Sequence, residues 1–141
     1  MERDKTVHFI FDFMPELHRK LFKGMKHDYT RHQVRLLHFV EKDGENSMKH
    51  YGQKLLISKP NMSTLVDRMV EDSLIERLYD PKDRRVVRIK VSETGKKVLR
   101  SHEELMKETI KEKLIPISDE EIKVLNDSLE LIKKIFNKIG E

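Results

Sequence analysis

The fold is decided by residues 57–91, which read ISKPNMSTLVDRMVEDSLIERLYDPKDRRVVRIKV. Ser58 is of a residue type that caps helices, and Pro60 is tolerated in a first helical turn. The apolar residues that follow have helical spacing: Met62, Leu65, Val66 and Met69. The first part of the stretch therefore predicts an amphipathic helix with one apolar face and one polar, partly cationic face.

The second part of the stretch predicts a β-hairpin. Residues 74–79 and 86–91 read as short strands, and the second strand alternates β-branched residues with cations. Between them, residues 80–85 form a polar turn, DPKDRR, with three cationic side chains near its tip. A hairpin with a basic tip is thus expected directly after the helix.

Two more helices are predicted upstream. Thr30 and Gln33 form a capping box for the first of them, and Ser47 can cap the second. The apolar residues of that second helix are Met48, Tyr51, Leu55 and Leu56. Only residues 57–59 separate it from the next helix, which fits two helices joined by a tight turn. The order helix, turn, helix and basic hairpin predicts a winged helix-turn-helix lobe at residues 30–95.

Both ends of the chain predict long amphipathic helices. A first helix over residues 6–26 either kinks at Pro15 or begins near it. Ser118 opens a capping box for the last helix. The apolar residues of that helix alternate three and four positions apart: Ile122, Leu125, Leu129, Ile132, Phe136 and Ile139. We expect residues 1–29 and 96–141 to form a helical dimerisation region built from both termini. The alternative is a monomeric bundle that packs against its own domain.

The chain is therefore predicted to be mainly α-helical with a small β-hairpin wing. Its net charge of +4 comes from one region. Residues 47–91 hold ten Lys or Arg against six Asp or Glu, and the rest of the chain holds 19 of each sign. A localised basic patch is the footprint expected of a nucleic-acid-binding surface. The alternative is a surface that is basic without binding anything.

Two surfaces of the predicted lobe suit double-stranded DNA. The polar face of the fourth helix is suited to the major groove. The basic hairpin could lay a guanidinium into the narrow minor groove, where the negative potential is deepest. An ordinary surface helix and a solvated hairpin would explain each piece alone, but their order along the chain is more specific than either piece.

Four segments of the sequence resemble the MarR family of bacterial regulators. They are residues 57–69, the segment LIER at 74–77, the segment DRR at 83–85 and the segment VSETG at 91–95. The resemblance implies a homodimeric winged-helix protein, usually a repressor, that binds a pseudo-palindromic operator. It also implies that small ligands or oxidants commonly relieve DNA binding. The chain has no cysteine, which excludes sensing by thiol oxidation.

The resemblance also implies roles for individual residues. Arg85 matches the wing arginine that enters the minor groove, and Asp83 matches the acidic residue that holds it. The predicted DNA-binding residues of the recognition helix are Lys59, Pro60, Asn61, Ser63, Thr64 and Arg68. Those of the wing are Lys82, Asp83, Arg84 and Arg85. The alternative function is a winged-helix module for protein–protein contact. Such a module would be expected to lack cations on the wing and the recognition face, where this chain has Arg68, Arg84, Arg85 and Arg88.

Some positions depart from the family pattern. Gly52 and Leu56 stand where the family usually has Ala and Gly, and Ser73 replaces a usual Gly. Val91-Ser92 replaces a common Leu-Thr. These changes are conservative enough to leave the fold intact.

The resemblance further implies that a small-molecule effector would occupy a crevice between the dimerisation helices and the DNA-binding lobe. The residues predicted for that pocket are Leu17, Leu21, Met25, Leu37 and His38, although each is equally explained as core. No cofactor or metal is predicted. The seven histidines include no helical His-x-x-x-His pair, although a zinc site assembled across helices or subunits is an alternative.

Catalysis is not expected, because the chain has no phosphate-binding Gly loop, no Gly-x-Ser-x-Gly turn and no cysteine nucleophile. No apolar run approaches the roughly 18 residues that a membrane-spanning helix needs. A cytoplasmic location with no membrane partner is the default expectation.

Overall fold

A computed structural model of the protein describes residues 1–26 and 28–140. These residues form six helices and three strands. In chain order they are α1 Glu2–Phe22, α2 Arg31–Asp43, β1 Asn46–Ser47, α3 Met48–Leu55, α4 Lys59–Glu71, β2 Ile75–Tyr79, β3 Val87–Val91, α5 Glu93–Lys113 and α6 Asp119–Phe136. The strands form one antiparallel sheet in the order β1-β3-β2. The predicted fold class, mainly helical with a small β-hairpin wing, is confirmed.

Side-chain caps begin four of the helices, as the sequence predicts. Thr30 Oγ1 accepts the N–H of Gln33 at 3.3 Å, and Gln33 Oε1 accepts the N–H of Thr30 at 2.8 Å. Ser47, Ser58 and Ser118 each accept a backbone N–H three residues further on, at 3.1, 3.4 and 3.2 Å. Each cap satisfies a donor that the first turn leaves unpaired, which fixes where the helix begins.

The chain divides into two compact units. The terminal unit is Met1–Lys23 together with Lys107–Glu141, and the central unit is Gly24–Met106. Glu141 lies outside the described residues. The boundaries differ from the predicted ones at 29/30 and 95/96, because residues 24–29 and the first two thirds of α5, residues 93–106, belong to the central unit. Gly95 and Leu99 in that part of α5 are both buried.

The hydrophobic core lies entirely within the central unit. It joins the apolar faces of α2, α3 and α4 to the inner face of the sheet. The side chains with less than 2% exposure are Tyr51, Leu36, Leu37, Met69, Leu74, Ile75, Ile89, Val40 and Val66. Burial of aliphatic side chains such as these contributes roughly 1.5–3 kcal/mol each to stability. This core fixes the orientation of α4 and of the hairpin.

Helix α1 differs from its predicted form. It begins at Glu2 and continues through Pro15 to Phe22. The predicted alternative, in which the helix begins near Pro15, is therefore wrong. Acidic residues in the first turn, Glu2 and Asp4, interact favourably with the positive end of a helix and support the earlier start. Strand β1 was not expected, because two residues are too few for a sequence pattern.

Two residues have left-handed backbone conformations where the family pattern has glycine. Leu56 caps the end of α3 with φ 55° and ψ 43°, and Ser73 precedes β2 with φ 63°. This conformation costs an L-residue roughly 1–2 kcal/mol. The assignment of Leu56 to the apolar face of α3 is therefore wrong, since Leu56 lies in the turn and is 92% exposed.

Gly52 offers a simple test of the packing of α3. An added Cβ at Gly52 would lie 3.4 Å from Met62 Cγ and 3.6 Å from the Ile57 carbonyl oxygen, which are ordinary contacts. Because alanine lowers the entropic cost of an interior helical position, we expect Gly52→Ala to raise the free energy of unfolding by about 0.5–1 kcal/mol. Urea denaturation followed by circular dichroism measures the change. A loss of stability would show that the contact between α3 and α4 is tighter than described.

The terminal unit contrasts with the central one. Neither α1 nor α6 has a buried residue, although both are long and amphipathic. The large apolar side chains that stay exposed in α6 are Val124, Leu125, Leu129, Leu131, Ile132, Ile135 and Phe136. Ser118 and Glu121 complete the capping box that opens this helix. The two end helices therefore present apolar surface without covering it.

Candidate nucleic-acid interface

Helix α4 presents one side to the core and the other to solvent. Met62, Val66 and Met69 are buried. Of the six residues predicted to contact DNA from this helix, five are exposed and Ser63 is half-buried; the exposed ones are Lys59, Pro60, Asn61, Thr64 and Arg68. The helical period places the polar residues opposite the buried ones. A helix with an exposed polar face can lie in the major groove of B-DNA, which is wide enough to admit it.

The hydrogen-bonding groups of this face are partly arranged already. The Thr64 hydroxyl donates to the Pro60 carbonyl oxygen at 3.2 Å, so its oxygen keeps lone pairs that can accept from a base. Arg68 Nε lies 3.7 Å from Asp72 Oδ2, a loose surface ion pair worth little in water. The face therefore offers both acceptors and a cation that can change partner.

The wing holds its arginine in a defined geometry. Arg85 Nε donates to Asp83 Oδ1 at 3.1 Å, and its terminal Nη2 donates to Oδ2 at 3.2 Å. The same Oδ1 accepts the backbone N–H of Arg85 at 3.0 Å. The Arg85 side chain is nevertheless 92% exposed. We call this pair the wing clamp; it orders a long side chain that would otherwise lose rotamer entropy on binding.

The wing clamp also affects the titration of Asp83. The hydrogen bonds from the Arg85 side chain and backbone hold the pKa of that carboxyl below its ordinary value. A lowered pKa means that the carboxylate form, which keeps the clamp, persists at neutral pH and is lost only as the pH falls through the lowered value. The clamp is therefore constant across the physiological pH range.

The rest of the turn is held by short local bonds. The N–H of Asp80 donates to the Val86 carbonyl at 3.1 Å, and Asp80 Oδ1 accepts the N–H of Lys82 at 2.8 Å. Lys82 and Arg84 are both exposed. The hairpin tip thus presents cations on a turn whose backbone groups are satisfied.

Two ion pairs that the sequence does not reveal fix these surfaces to the sheet. Arg77 of β2 contacts Asp67 of α4 through its terminal nitrogen. Arg88 of β3 contacts the Glu45 carboxylate at 3.3 Å and its backbone carbonyl at 3.2 Å. The Arg88 side chain is therefore fixed by Glu45 and about one-third exposed, and it is not a cation of the wing tip. No local pattern could have shown these pairs, because their members lie 10 and 43 residues apart.

Helix α3 is fixed against the end of α2. Asp43 accepts from His50 Nε2 at 3.1 Å and from Lys54 Nζ at 3.0 Å, and these hydrogen bonds lower the pKa of Asp43. The Tyr51 hydroxyl donates to the Gly44 carbonyl. Burial raises the pKa of Tyr51 to about 12, so the hydroxyl stays a neutral donor. Helix α3 in turn supports α4.

The predicted pocket residues lie in different environments. Leu17 and Leu21 are half-buried on α1 of the terminal unit, whereas Met25, Leu37 and His38 belong to the central unit. Leu37 is fully buried in the core and His38 is exposed. A ligand site built from these five residues stays a prediction.

Among the described residues, no three His, Cys, Asp or Glu side chains form a group that could hold a metal ion. His27, which the sequence places near a turn, lies outside the described residues. No helix in the described part of the chain is long and apolar enough to span a membrane.

The lobe architecture and the exposed cationic face define a winged helix-turn-helix protein of the DNA-binding class. A family model described as the MarR family matches residues 27–86. The uncharacterised HTH-type transcriptional regulator YpoP of Bacillus subtilis is 26% identical over 133 residues, which cover 89% of this chain and 92% of YpoP. The chain is thus similar to transcriptional regulators of the MarR family, most clearly over its helix-turn-helix lobe.

Solved structures agree on the fold. The transcriptional regulator Tm0710 from Thermotoga maritima superimposes with a TM-score of 0.71 at 20% identity, over 98% of this chain and 96% of that one. A mutant of MarR from E. coli complexed with operator DNA gives a TM-score of 0.57 at 18% identity, over 94% of each chain. The resemblance to the MarR family that the sequence indicates is confirmed.

Proposed function

We propose that the protein is a homodimeric, sequence-specific repressor that binds a pseudo-palindromic operator. The observation that carries the proposal is the wing clamp, since Arg85 is ordered by Asp83 and still 92% exposed. It belongs to the same unit as the exposed polar face of α4. An arginine prepared in this way suits the minor groove next to a helix that reads the major groove.

The roles within the interface follow from side-chain chemistry. Asn61, Ser63 and Thr64 offer hydrogen-bond donors and acceptors to base edges and phosphates. Lys59, Arg68, Lys82 and Arg84 supply cations for the phosphate backbone, and Pro60 shapes the first turn of α4. Base contacts set the sequence preference, whereas phosphate contacts set affinity and its salt dependence.

The homodimer is supported by the uncovered faces of α1 and α6. Neither helix has a buried residue. In α6 the exposed apolar positions recur three and four residues apart, which suits packing along another helix. Most of the stability of a helix in a protein comes from tertiary packing of its amphipathic face. A second copy of the chain supplies a matching apolar face by symmetry.

Repression follows from occupancy of the operator, since a dimer bound across a promoter blocks access to it. Relief of binding by a small molecule is part of the proposal, because the family resemblance implies it. Substitutions at the predicted pocket residues Leu17, Leu21 and Met25 test that site. If every ligand response survives them, the crevice is not the effector site.

The proposal is tested by selecting binding sites from a random duplex library with the purified protein and then titrating salt. We expect a palindromic consensus with half-sites about 10 base pairs apart and a steep salt dependence of affinity. Weak binding without a consensus would contradict the proposal. That result would instead favour a winged-helix module for protein–protein contact.

Arg85→Ala is expected to weaken operator binding by about 1–3 kcal/mol while leaving the dimer folded. The substitution removes the guanidinium proposed for the minor groove and leaves the α4 face intact. Fluorescence anisotropy with the selected operator measures the change. Lys97→Ala, which removes one exposed cation of α5, is the matched control and should bind like the parent. Equal affinities for the parent and for Arg85→Ala would rule out the wing assignment.

A further inference from the structure

The ion pair between α4 and β2 lies where the hydrophobic core meets the proposed DNA-binding face. Ile75, Arg77 and Tyr79 alternate onto one face of β2. Ile75 is buried in the core, and Ile89, which pairs with Arg77 across the sheet, is fully buried. Arg77 therefore extends from the inner face of the sheet, on which α4 packs. Its guanidinium reaches the carboxylate of Asp67 on α4.

The two partners of this pair lie in different environments. The Arg77 side chain is 28% exposed, whereas the Asp67 side chain is 66% exposed. Arg77 Nε is buried, and among the described residues it has no hydrogen-bond partner. A buried N–H without an acceptor costs free energy, and an apolar side chain of similar volume is often as stable or more stable in such a position. Stability alone therefore does not explain an arginine here.

The apolar contacts of α4 define its rotation weakly. The buried residues of the helix are Met62, Val66 and Met69. Methionine side chains are unbranched and flexible, so they fill a core in more than one arrangement. Such contacts hold α4 on the sheet more firmly than they oppose rotation of the helix about its own axis. The Asp67–Arg77 pair opposes that rotation, because it joins one side of α4 to a strand in a directional contact.

A small rotation of α4 would matter for reading bases. Side-chain tips lie about 5–6 Å from a helix axis, so a rotation of about 10° moves them by roughly 1 Å. Hydrogen-bond distances vary over only about 0.5 Å, and binding groups must be held to a similar precision. Contacts from short side chains such as Thr64, one turn before Asp67, would be lost. Long, flexible cations such as Lys59 and Arg68 would still reach phosphates.

We propose that Arg77 is a positioning residue that acts through Asp67 to fix the rotation of α4 and thereby determines the base specificity of the protein. It does so without contacting DNA. The role in specificity rests on the proposed function, whereas the fixed rotation of α4 does not. Loss of the pair then lowers the preference for the operator and spares the affinity for DNA in general.

The test variant combines Asp67→Asn with Arg77→Met, which leaves the net charge unchanged and leaves no carboxylate unpaired. Fluorescence anisotropy gives the ratio of its affinities for the selected operator and for a random duplex of equal length. We expect this ratio to fall by at least about tenfold and the random-duplex affinity to stay within about twofold of the parent. The midpoint of urea unfolding should be unchanged or higher. The salt dependence should be unchanged, because no phosphate contact is removed.

The matched control combines Glu76→Gln with Lys90→Met. These residues pair at 3.3 Å on the outer face of the same two strands, so the control removes one ion pair of the sheet without touching α4. It should keep the affinity ratio of the parent. Arg77→Lys leaves a cation for Asp67 and should retain most of the ratio. Hydrogen exchange without DNA should be faster at the α4 amides of the test variant and unchanged at those of α2.

Each result decides one part of the proposal. An affinity ratio that is unchanged, or that falls equally in the control, would overturn the role in specificity. A salt slope smaller by about one would show that Arg77 contacts a phosphate itself. Unchanged exchange at the α4 amides would overturn the fixed rotation. If the parent selects no consensus sequence, the proposed operator is refuted, and hydrogen exchange still decides whether Arg77 fixes α4.

Discussion

Replacing both Leu129 and Ile132 with glutamate is expected to convert the proposed dimer into a monomer and to weaken binding to the proposed operator by at least about a hundredfold. Both leave apolar surface exposed on α6, at 51% and 49%. In the proposed dimer these side chains are covered by a second copy. Two carboxylates there would have to be buried without partners, at a cost of several kcal/mol. A monomer engages one half-site and loses the gain from binding two at once.

Analytical ultracentrifugation gives the oligomeric state of this double variant, and fluorescence anisotropy gives its affinity for the operator. The matched control replaces Lys123 and Lys134 with glutamine, which changes the net charge by the same amount. These two residues lie on the polar side of α6 by helical spacing, and the control should remain dimeric. A double glutamate variant that stays dimeric would place the subunit contact elsewhere.

Gly95→Ala is expected to lower the free energy of unfolding by about 3 kcal/mol and the melting temperature by roughly 10 °C. An added Cβ at Gly95 would lie 2.0 Å from the Leu74 carbonyl oxygen and 2.9 Å from Val91 Cγ1. The first of these atoms is backbone and cannot move away alone. The Leu74 carbonyl oxygen also accepts the N–H of Ser92 at 3.1 Å. Displacing this oxygen therefore weakens the contact between the start of β2 and the start of α5.

The Ser92 hydroxyl holds the start of α5 against the residues that precede β2. It donates to the Ser73 carbonyl at 2.5 Å and accepts the N–H of Gly95 at 2.9 Å. Chemical denaturation measures the free energy of unfolding of both Gly95→Ala and Gly52→Ala. The same added methyl group is expected to lower this free energy at Gly95 and to raise it at Gly52. A Gly95→Ala variant as stable as the parent would mean that α5 can shift away from the sheet.

Local patterns predict most of the elements because local chemistry forms them. The caps at Thr30, Ser47, Ser58 and Ser118 satisfy helix N–H groups three residues away, so the sequence contains the whole interaction. The pair Asp83 and Arg85 is of the same kind, two residues apart on one turn. The resemblance to the MarR family implied that Asp83 holds Arg85, and the hydrogen bonds between the two side chains show that contact.

Interactions between distant residues could not be predicted in this way. Strand β1 exists because Asn46 pairs with Ile89 across the fold. The contacts of Arg77 with Asp67 and of Arg88 with Glu45 depend on tertiary packing. Leu56 was misplaced because Leu55 and Leu56 are both apolar and adjacent, and only one of two neighbours can face the core.

The uncovered faces of α1 and α6 connect the abundance of this regulator to its lifetime in the cell. If the proposed dimer is diluted below its dissociation constant, α1 and α6 become exposed to solvent. Neither helix has a buried residue within its own chain to stabilise it. Locally unfolded segments are the sites where proteases cut. Scarce copies would then be degraded faster than abundant ones. The level of the regulator would fall steeply once it began to fall, which would sharpen the response of its target genes to synthesis of the regulator itself.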